Sequence, residues 1–338
     1  MAITIKDVAA KAGVTPVVVS RVLHNKAASI RVSKATAERV REAALDLGYK
    51  LNVAALNFRN QQTMTIGVLH GIGFTRPSFD ERSRYFARLM DGIVEGAFRN
   101  GYSVTLCPKL LGGTPGDAVA DGRFDGLVWY STVDSDESRV ALARCSVPLV
   151  LLHAIASEFD NQHPCIICDN DQGIRLAVDH LYRLGHRRIA FAMQTAPTVV
   201  ESLSRKTAFV KHMSERGLVS NILHMPLGGN KVSNYLKEGP RHTAVIAHND
   251  ELAAEFLDNA PKYGVRIPQD LAVVGFDSTH YCEELTPSLT SISQPLALMG
   301  ERAIDLLVQR MNNQANQSLQ VVFPCGLDIR GSTQSENP

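Results

Sequence analysis

Residues 4–24, TIKDVAAKAGVTPVVVSRVLH, hold two short apolar-faced segments around a tight turn. Val8, Ala9 and Ala12 recur at helical spacing in the first segment, and Val18, Val19, Val22 and Leu23 in the second. Gly13 closes the first helix, because glycine takes the left-handed conformation of a C-terminal cap without steric cost. Thr15 and Pro16 open the second: a hydroxyl satisfies an orphan amide, and proline's fixed φ suits the first helical position. Helix, glycine-containing turn and helix make a helix-turn-helix, whose second helix enters the DNA major groove in DNA-binding versions. A third helix is expected over 33–48, with Ser33 as N-cap, Ala37, Val40, Ala44 and Leu47 on one face, and Gly48 as the stop.

Charge supports a nucleic-acid role for this head. Residues 1–63 carry ten Lys and Arg against four acids, a net +6, whereas the remainder is net −5, so the overall +1 hides a basic head on a mildly acidic body. The connecting loop brings two further cations, Lys26 and Arg31. Next comes LNVAALNFR, in which Asn52 caps one or two helical turns. A helix this short is marginal in water and forms only when something packs on it.

From Met64 onward, apolar strand-like runs alternate with amphipathic helices, as in MTIGVLH, DGLVWYS, PLVLLHA, RRIAFAM, HTAVIAHND and LAVVGFD. This pattern predicts α/β architecture with parallel sheets covered on both faces. There are too many strands for one small sheet, so two α/β subdomains are expected, divided near Gln162–Pro164. A helix is read over 287–314 and a final strand pair over 320–331. The N-terminus is charged and no run of about eighteen apolar residues occurs, so neither a signal peptide nor a membrane span is expected, and the location expected is cytoplasmic. Cys165 and Cys168 form CIIC inside an apolar run, without a second ligand pair at metal spacing, and are read as core residues. No metal or cofactor is expected.

Taken together, TIKDVAAKAGV, VSRVL, SKATAERVREAALDLGY, DNDQGIRLAVDHLYRLGHRRIA, HNDELA, VVGFD, LTSISQP and RGST resemble the LacI/GalR family of transcriptional repressors over essentially the whole chain. The resemblance implies a helix-turn-helix head (1–50), a hinge helix and linker (51–63), and a body of periplasmic-binding-protein type (64–338). The body's N-subdomain would take about 64–163 and 294–322, and its C-subdomain about 164–293 and 323–332. It also implies a homodimer on near-palindromic operator DNA, controlled by a small effector in the cleft. The chain lacks a C-terminal leucine heptad, so a dimer rather than a tetramer is expected.

Residue by residue, the resemblance places Pro16, Val17 and Arg21 where the family reads bases. Arg21 suits a guanine or phosphate contact, and the two apolar residues suit a thymine methyl. Thr15, Ser20, His24, Asn25 and Arg31 are phosphate candidates. In the hinge, Asn52 and Ala55 precede Phe58, which stands where the family wedges a leucine into the minor groove, and an aromatic wedge can also part a base step. Leu51 replaces the usual proline. For the effector, Arg205, Asn249, Asp250 and Asp277 match family positions. Tyr85, Phe86, Tyr130 and Trp129 offer rings for a ligand or for the core. Two positions depart: His153 stands where some sugar-binding relatives have a carboxylate, and Tyr130 where they have an amide. A sugar or related polar metabolite is the effector expected.

Rival readings find less support. No Walker loop, nucleophile elbow or zinc signature occurs, so an enzyme is not expected. A solute-binding sensor of the periplasmic type shares the body's architecture but would carry a signal peptide and no basic head.

Overall fold

The computed structural model describes residues 3–24, 31–50, 62–70, 84–106, 122–130, 140, 144–159, 161–194, 200–225, 230–314 and 319–334. It divides into two compact units, 1–63 and 64–338. The expected hinge helix at 53–59 lies outside the described residues.

In the first unit, α1 (Ile5–Ala12), α2 (Pro16–His24) and α3 (Lys34–Asp46) form the head. A capping box between Thr4 and Asp7 starts α1, and Gly13, at φ +62°, ends it. Ser33 Oγ accepts the Thr36 amide at 3.2 Å and starts α3. The core is small: Val8, Ala9, Ala12, Val19, Val40, Ala43 and Ala44, with Val22 and Leu23 packed at its edge.

The second unit contains two sheets. The first runs in the order β11–β5–β4–β3–β1–β2, all parallel. Its strands are β1 (Thr65–His70), β2 (Ser103–Leu106), β3 (Gly126–Tyr130), β4 (Leu149–Leu152), β5 (Cys165–Cys168) and β11 (Gln320–Phe323). The second runs β12–β10–β9–β8–β6–β7, parallel except for β12. It comprises β6 (Ile189–Gln194), β7 (Asn221–Met225), β8 (Ala244–Ala247), β9 (Ala272–Asp277), β10 (Thr290–Ser293) and β12 (Gly326–Asp328). Helices α4 (Tyr85–Arg99) and α10 (Leu296–Met311) pack together and cover the first sheet. Against the second lie α5 (Asn170–Arg183), α6 (Val200–Glu215), α7 (Lys231–Lys237), α8 (Asp250–Asn259) and the short α9 (Tyr281–Glu284). None of the described helices is long and apolar enough to cross a membrane.

Three details differ from the sequence reading. The segment 165–168 belongs to the first sheet, between β4 and β11, so the chain first passes between sheets after Cys168 rather than near Gln162–Pro164. The helix read over 287–314 begins only at Leu296, because 290–293, with Thr290 and Ile292 β-branched, pairs with β9 and Pro295 resets the backbone. The final strand pair is split: β11 joins one sheet and β12 the other, so the chain crosses here as well. Three crossings therefore converge beside the residues described next.

Candidate DNA-reading helix and effector cleft

On the head, Thr15, Pro16 and Val17 are exposed at the start of α2, and Ser20 and Arg21 are half-buried one turn further on. Val17 is 62% exposed, which leaves a large apolar side chain at the helix start uncovered within its own unit. Arg31 is exposed ahead of α3 and His24 ends α2. Asn25, Asn52, Ala55 and Phe58 lie outside the described residues.

In the body, four candidate effector residues from separate elements converge at the crossings. Tyr85 opens α4, His153 follows β4, Arg205 lies on α6 and Asp277 ends β9. The Tyr85 hydroxyl lies 2.6 Å from His153 Nε2. His153 Nδ1 lies 3.4 Å from the same hydroxyl and 2.6 Å from Glu201 Oε1. Arg205 is 4% exposed. It donates from Nε to Asn170 Oδ1 at 2.8 Å and from Nη1 to the His248 carbonyl at 2.5 Å. Its guanidinium sits 3.5 Å over the Phe276 ring, with Glu201 at 3.9 Å and Asp277 at 3.8 Å. Gln294, at the second crossing, donates to Asp277 at 2.6 Å. The backbone is strained at this point: His153 has φ +60° and Asp277 φ +117°, unfavourable values for residues with a Cβ that persist where the surroundings fix them.

The two carboxyls beside Arg205 are driven apart. Burial pushes Glu201 up, but the charge and hydrogen bond of His153, with Arg205, outweigh it and leave the carboxyl below its usual range. Burial also pushes Asp277 up; there Asp250 and Glu201 add to it, and Arg205 does not compensate. His248 is drawn down to about 3 by burial and by Arg205, so its imidazole is neutral. The cluster therefore presents an ionised acceptor, a carboxyl biased toward its protonated form, and a fixed cation. Asn170 Nδ2, Glu201 Oε1, His248 Nε2 and Gln294 Oε1 are buried with no hydrogen-bond partner among the described residues, which is unusual unless a further polar group completes them. A cavity of about 690 Å³ opens against Asp277 and Gln294, walled also by Arg84, Leu296 and Arg330, within the size range of small-ligand sites.

Other candidates are placed differently. Phe86 and Tyr130 stack at 5.0 Å inside the core of the first sheet. Trp129, the next residue to Tyr130 on β3, faces the opposite side of that sheet among Leu69, Leu127 and Leu151, because side chains alternate along a strand. Asn249 caps α8 by accepting the Leu252 amide at 3.0 Å. Asp250 turns away from the arginine and into the second sheet, where it accepts from the Thr279 amide, Cys282 Sγ and Ser291 Oγ. Sequence reasoning missed Glu201, Asn170, His248 and Gln294. Glu201 had a signal, since it stands four residues before Arg205 and so shares its helix face.

Burial pushes the Asp250 carboxyl up to about 6. A carboxyl whose pKa is raised on folding stabilises the fold at low pH and loses that contribution as pH rises through the folded value. Asp250→Asn should therefore abolish a fall in stability of on the order of 2–3 kcal/mol between about pH 4 and 6. Urea unfolding at a series of pH values checks this, and parallel profiles for both proteins would contradict it.

Residues 4–52 match the bacterial regulatory proteins of the lacI family, and residues 178–333 match the periplasmic binding protein-like domain. Catabolite control protein A of Priestia megaterium is 29% identical over 99% of this chain and 100% of its own. The HTH-type transcriptional repressor CytR of Escherichia coli K12 is 29% identical over 99% of this chain and 97% of its own. Among solved structures, the Lac repressor dimer bound to operator and the anti-inducer ONPF superposes with a TM-score of 0.82, at 27% identity over 99% of this chain and 100% of that one. A basic helix-turn-helix head, a two-sheet body with three crossings, and these full-length likenesses agree: the chain belongs to the LacI family of bacterial regulatory proteins, DNA-binding transcriptional regulators with an effector-binding domain.

Proposed function

We propose that this regulator is a cytoplasmic homodimeric repressor whose two heads read a near-palindromic operator, and whose cleft binds an uncharged sugar or sugar derivative that changes operator affinity. The observation that carries the effector half is the buried Tyr85–His153–Glu201–Arg205–Asp277 cluster, beside which polar atoms have no hydrogen-bond partner among the described residues. Ligand hydroxyls both donate and accept, as that mixture of groups requires. Arg205 and the ionised Glu201 already balance one another, which favours a neutral ligand over an anionic one. Asn249 stands at the end of β8, where open α/β sheets place ligands. The domain limits remain those of the sequence reading, with the first crossing moved to follow Cys168.

On the DNA side, Arg21 is assigned a guanine or phosphate contact, and Thr15, Ser20, His24, Asn25 and Arg31 phosphate contacts. Pro16 and Val17 face thymine methyls, and Asn52, Ala55 and Phe58 belong to a hinge helix whose Phe58 wedges a base step. The dimer reading is supported by Val94 and Phe98 on α4 and Leu298 on α10, which are 50%, 79% and 56% exposed on two helices packed together. No catalytic step is assigned to the cleft. A solute-binding sensor leaves the basic head without a role.

Removing residues 1–63 tests the division of labour. The remaining unit is compact by itself. It should lose binding to operator duplex and keep an effector-induced rise in melting temperature, worth about 2.7 kcal/mol at a hundred times the Kd. Retained duplex binding would contradict the assignment of DNA reading to the head.

A further inference from the structure

The Glu201 carboxylate comes from α6, which packs against the second sheet, whereas His153 and Tyr85 come from the first-sheet half. The contact between them therefore spans the cleft. Among the described ion pairs it is a buried one across the cleft: His153 is 1% and Glu201 6% exposed, whereas Arg84–Glu284 at 3.0 Å, which also spans the halves, has side chains 39% and 46% exposed. An exposed pair contributes little, and a buried charge depends strongly on its partner. Opening the cleft would strand the Glu201 carboxylate against Arg205 alone, at 3.9 Å.

We propose that Glu201, through His153, is an internal latch that holds the two halves of the ligand-free body together, occupying the position where an effector must engage His153. This rests on the cleft being the effector site, but the latch itself is a property of the chain without ligand. Its chemistry is simple. The imidazole meets the Tyr85 hydroxyl, 2.6 Å from Nε2 and 3.4 Å from Nδ1, and its Nδ1 also meets a carboxylate that belongs to the opposite half. An effector that enters exchanges that carboxylate for its own oxygen, so Glu201 sets the threshold a ligand has to pass. It also selects against ligands that bring a second negative charge to the same point. Arg205 keeps its own hydrogen bonds to Asn170 and the His248 carbonyl throughout, so it remains available to the ligand as a fixed donor.

The test needs no ligand. Amide hydrogen exchange of the full-length protein is followed at 150–154 and 200–206, the two sides of the latch, and at 244–247, in the centre of the second sheet. Glu201→Gln keeps the shape and removes the charge. It should speed exchange at both sides of the latch about tenfold and leave 244–247 unchanged. Tyr85→Phe, a milder change that frees the ring of His153, should act in the same direction but less. In Glu201→Ala, sodium acetate at tens of millimolar should restore the protection, because it resupplies the carboxylate, whereas sodium chloride at equal ionic strength should not. Wild-type exchange rates in Glu201→Gln, or failure of acetate to rescue Glu201→Ala, would overturn the latch. Loss of protection at 244–247 in Glu201→Gln reports unfolding, in which case Tyr85→Phe and the acetate experiment decide. A latch that fails while ligands still stabilise the body would leave the effector site standing; a body that no sugar stabilises would overturn that reading and leave the latch result valid.

Discussion

Replacing Arg205 with methionine is expected to cost about 3–5 kcal/mol of folding stability and to abolish the response to effector, because it removes the cation from between two buried carboxyls. Arg205 is 4% exposed, so water does not screen the loss. Glu201 is then left with His153 alone, and Asn170 Oδ1 and the His248 carbonyl lose a charged donor. Methionine fills much of the volume and sits well over the Phe276 ring, so the loss is electrostatic rather than a cavity. Urea unfolding measures the cost. The double variant Arg205→Met with Glu201→Gln should regain part of it, since the stranded charge is then gone. Equal stabilities for the single and double variants would show that the ion pair is not what the arginine supports.

The second large effect is expected at Gly92. Helices α4 and α10 approach so closely that a Cβ on Gly92 would collide with the Ala297 carbonyl, and one on Gly300 with the Leu89 carbonyl. Both obstacles are backbone, so no rotamer change relieves them. Gly92→Ala should therefore cost about 3 kcal/mol, at the upper end of overpacking effects. Because Val94, Phe98 and Leu298 lie on these same helices, the displaced pair should also weaken dimerisation. Chemical unfolding and sedimentation at several concentrations read the two effects; a variant as stable and as associated as the parent would refute the tight crossing.

Much of the fold was legible because the strands carry the signal themselves. Gly126–Tyr130, Leu149–Leu152, Cys165–Cys168 and Ala244–Ala247 are buried at every position, as unbroken apolar runs between helices imply. Sheet membership was not legible: a strand buried on both faces reads alike in either sheet, so 165–168 was assigned to the wrong half. The head was legible from its caps, Gly13 and Ser33, which the structure places as the sequence suggested.

The cleft was legible in part. Arg205 and Asp277 were singled out as family positions, His153 as a departure at one of them, and Tyr85 as a ring for a ligand or for the core; the structure brings the four together from elements that are distant in sequence. Asp250 and Glu201 show the limit. Both are acids in the first turn of a helix behind a strand of the second sheet. Only three-dimensional packing directs one into the sheet toward Ser291 and the other across the cleft to His153.

In the proposed function the head reads DNA as half of a symmetric pair. Selection of bound duplexes from a random pool by the full-length protein probes this, with Arg21→Ala as the comparison. The expected result is an enriched pair of inverted half-sites, whose base preference at one position relaxes in Arg21→Ala by about 1–3 kcal/mol. Enrichment of no sequence, or of a single asymmetric site indifferent to Arg21, would contradict it.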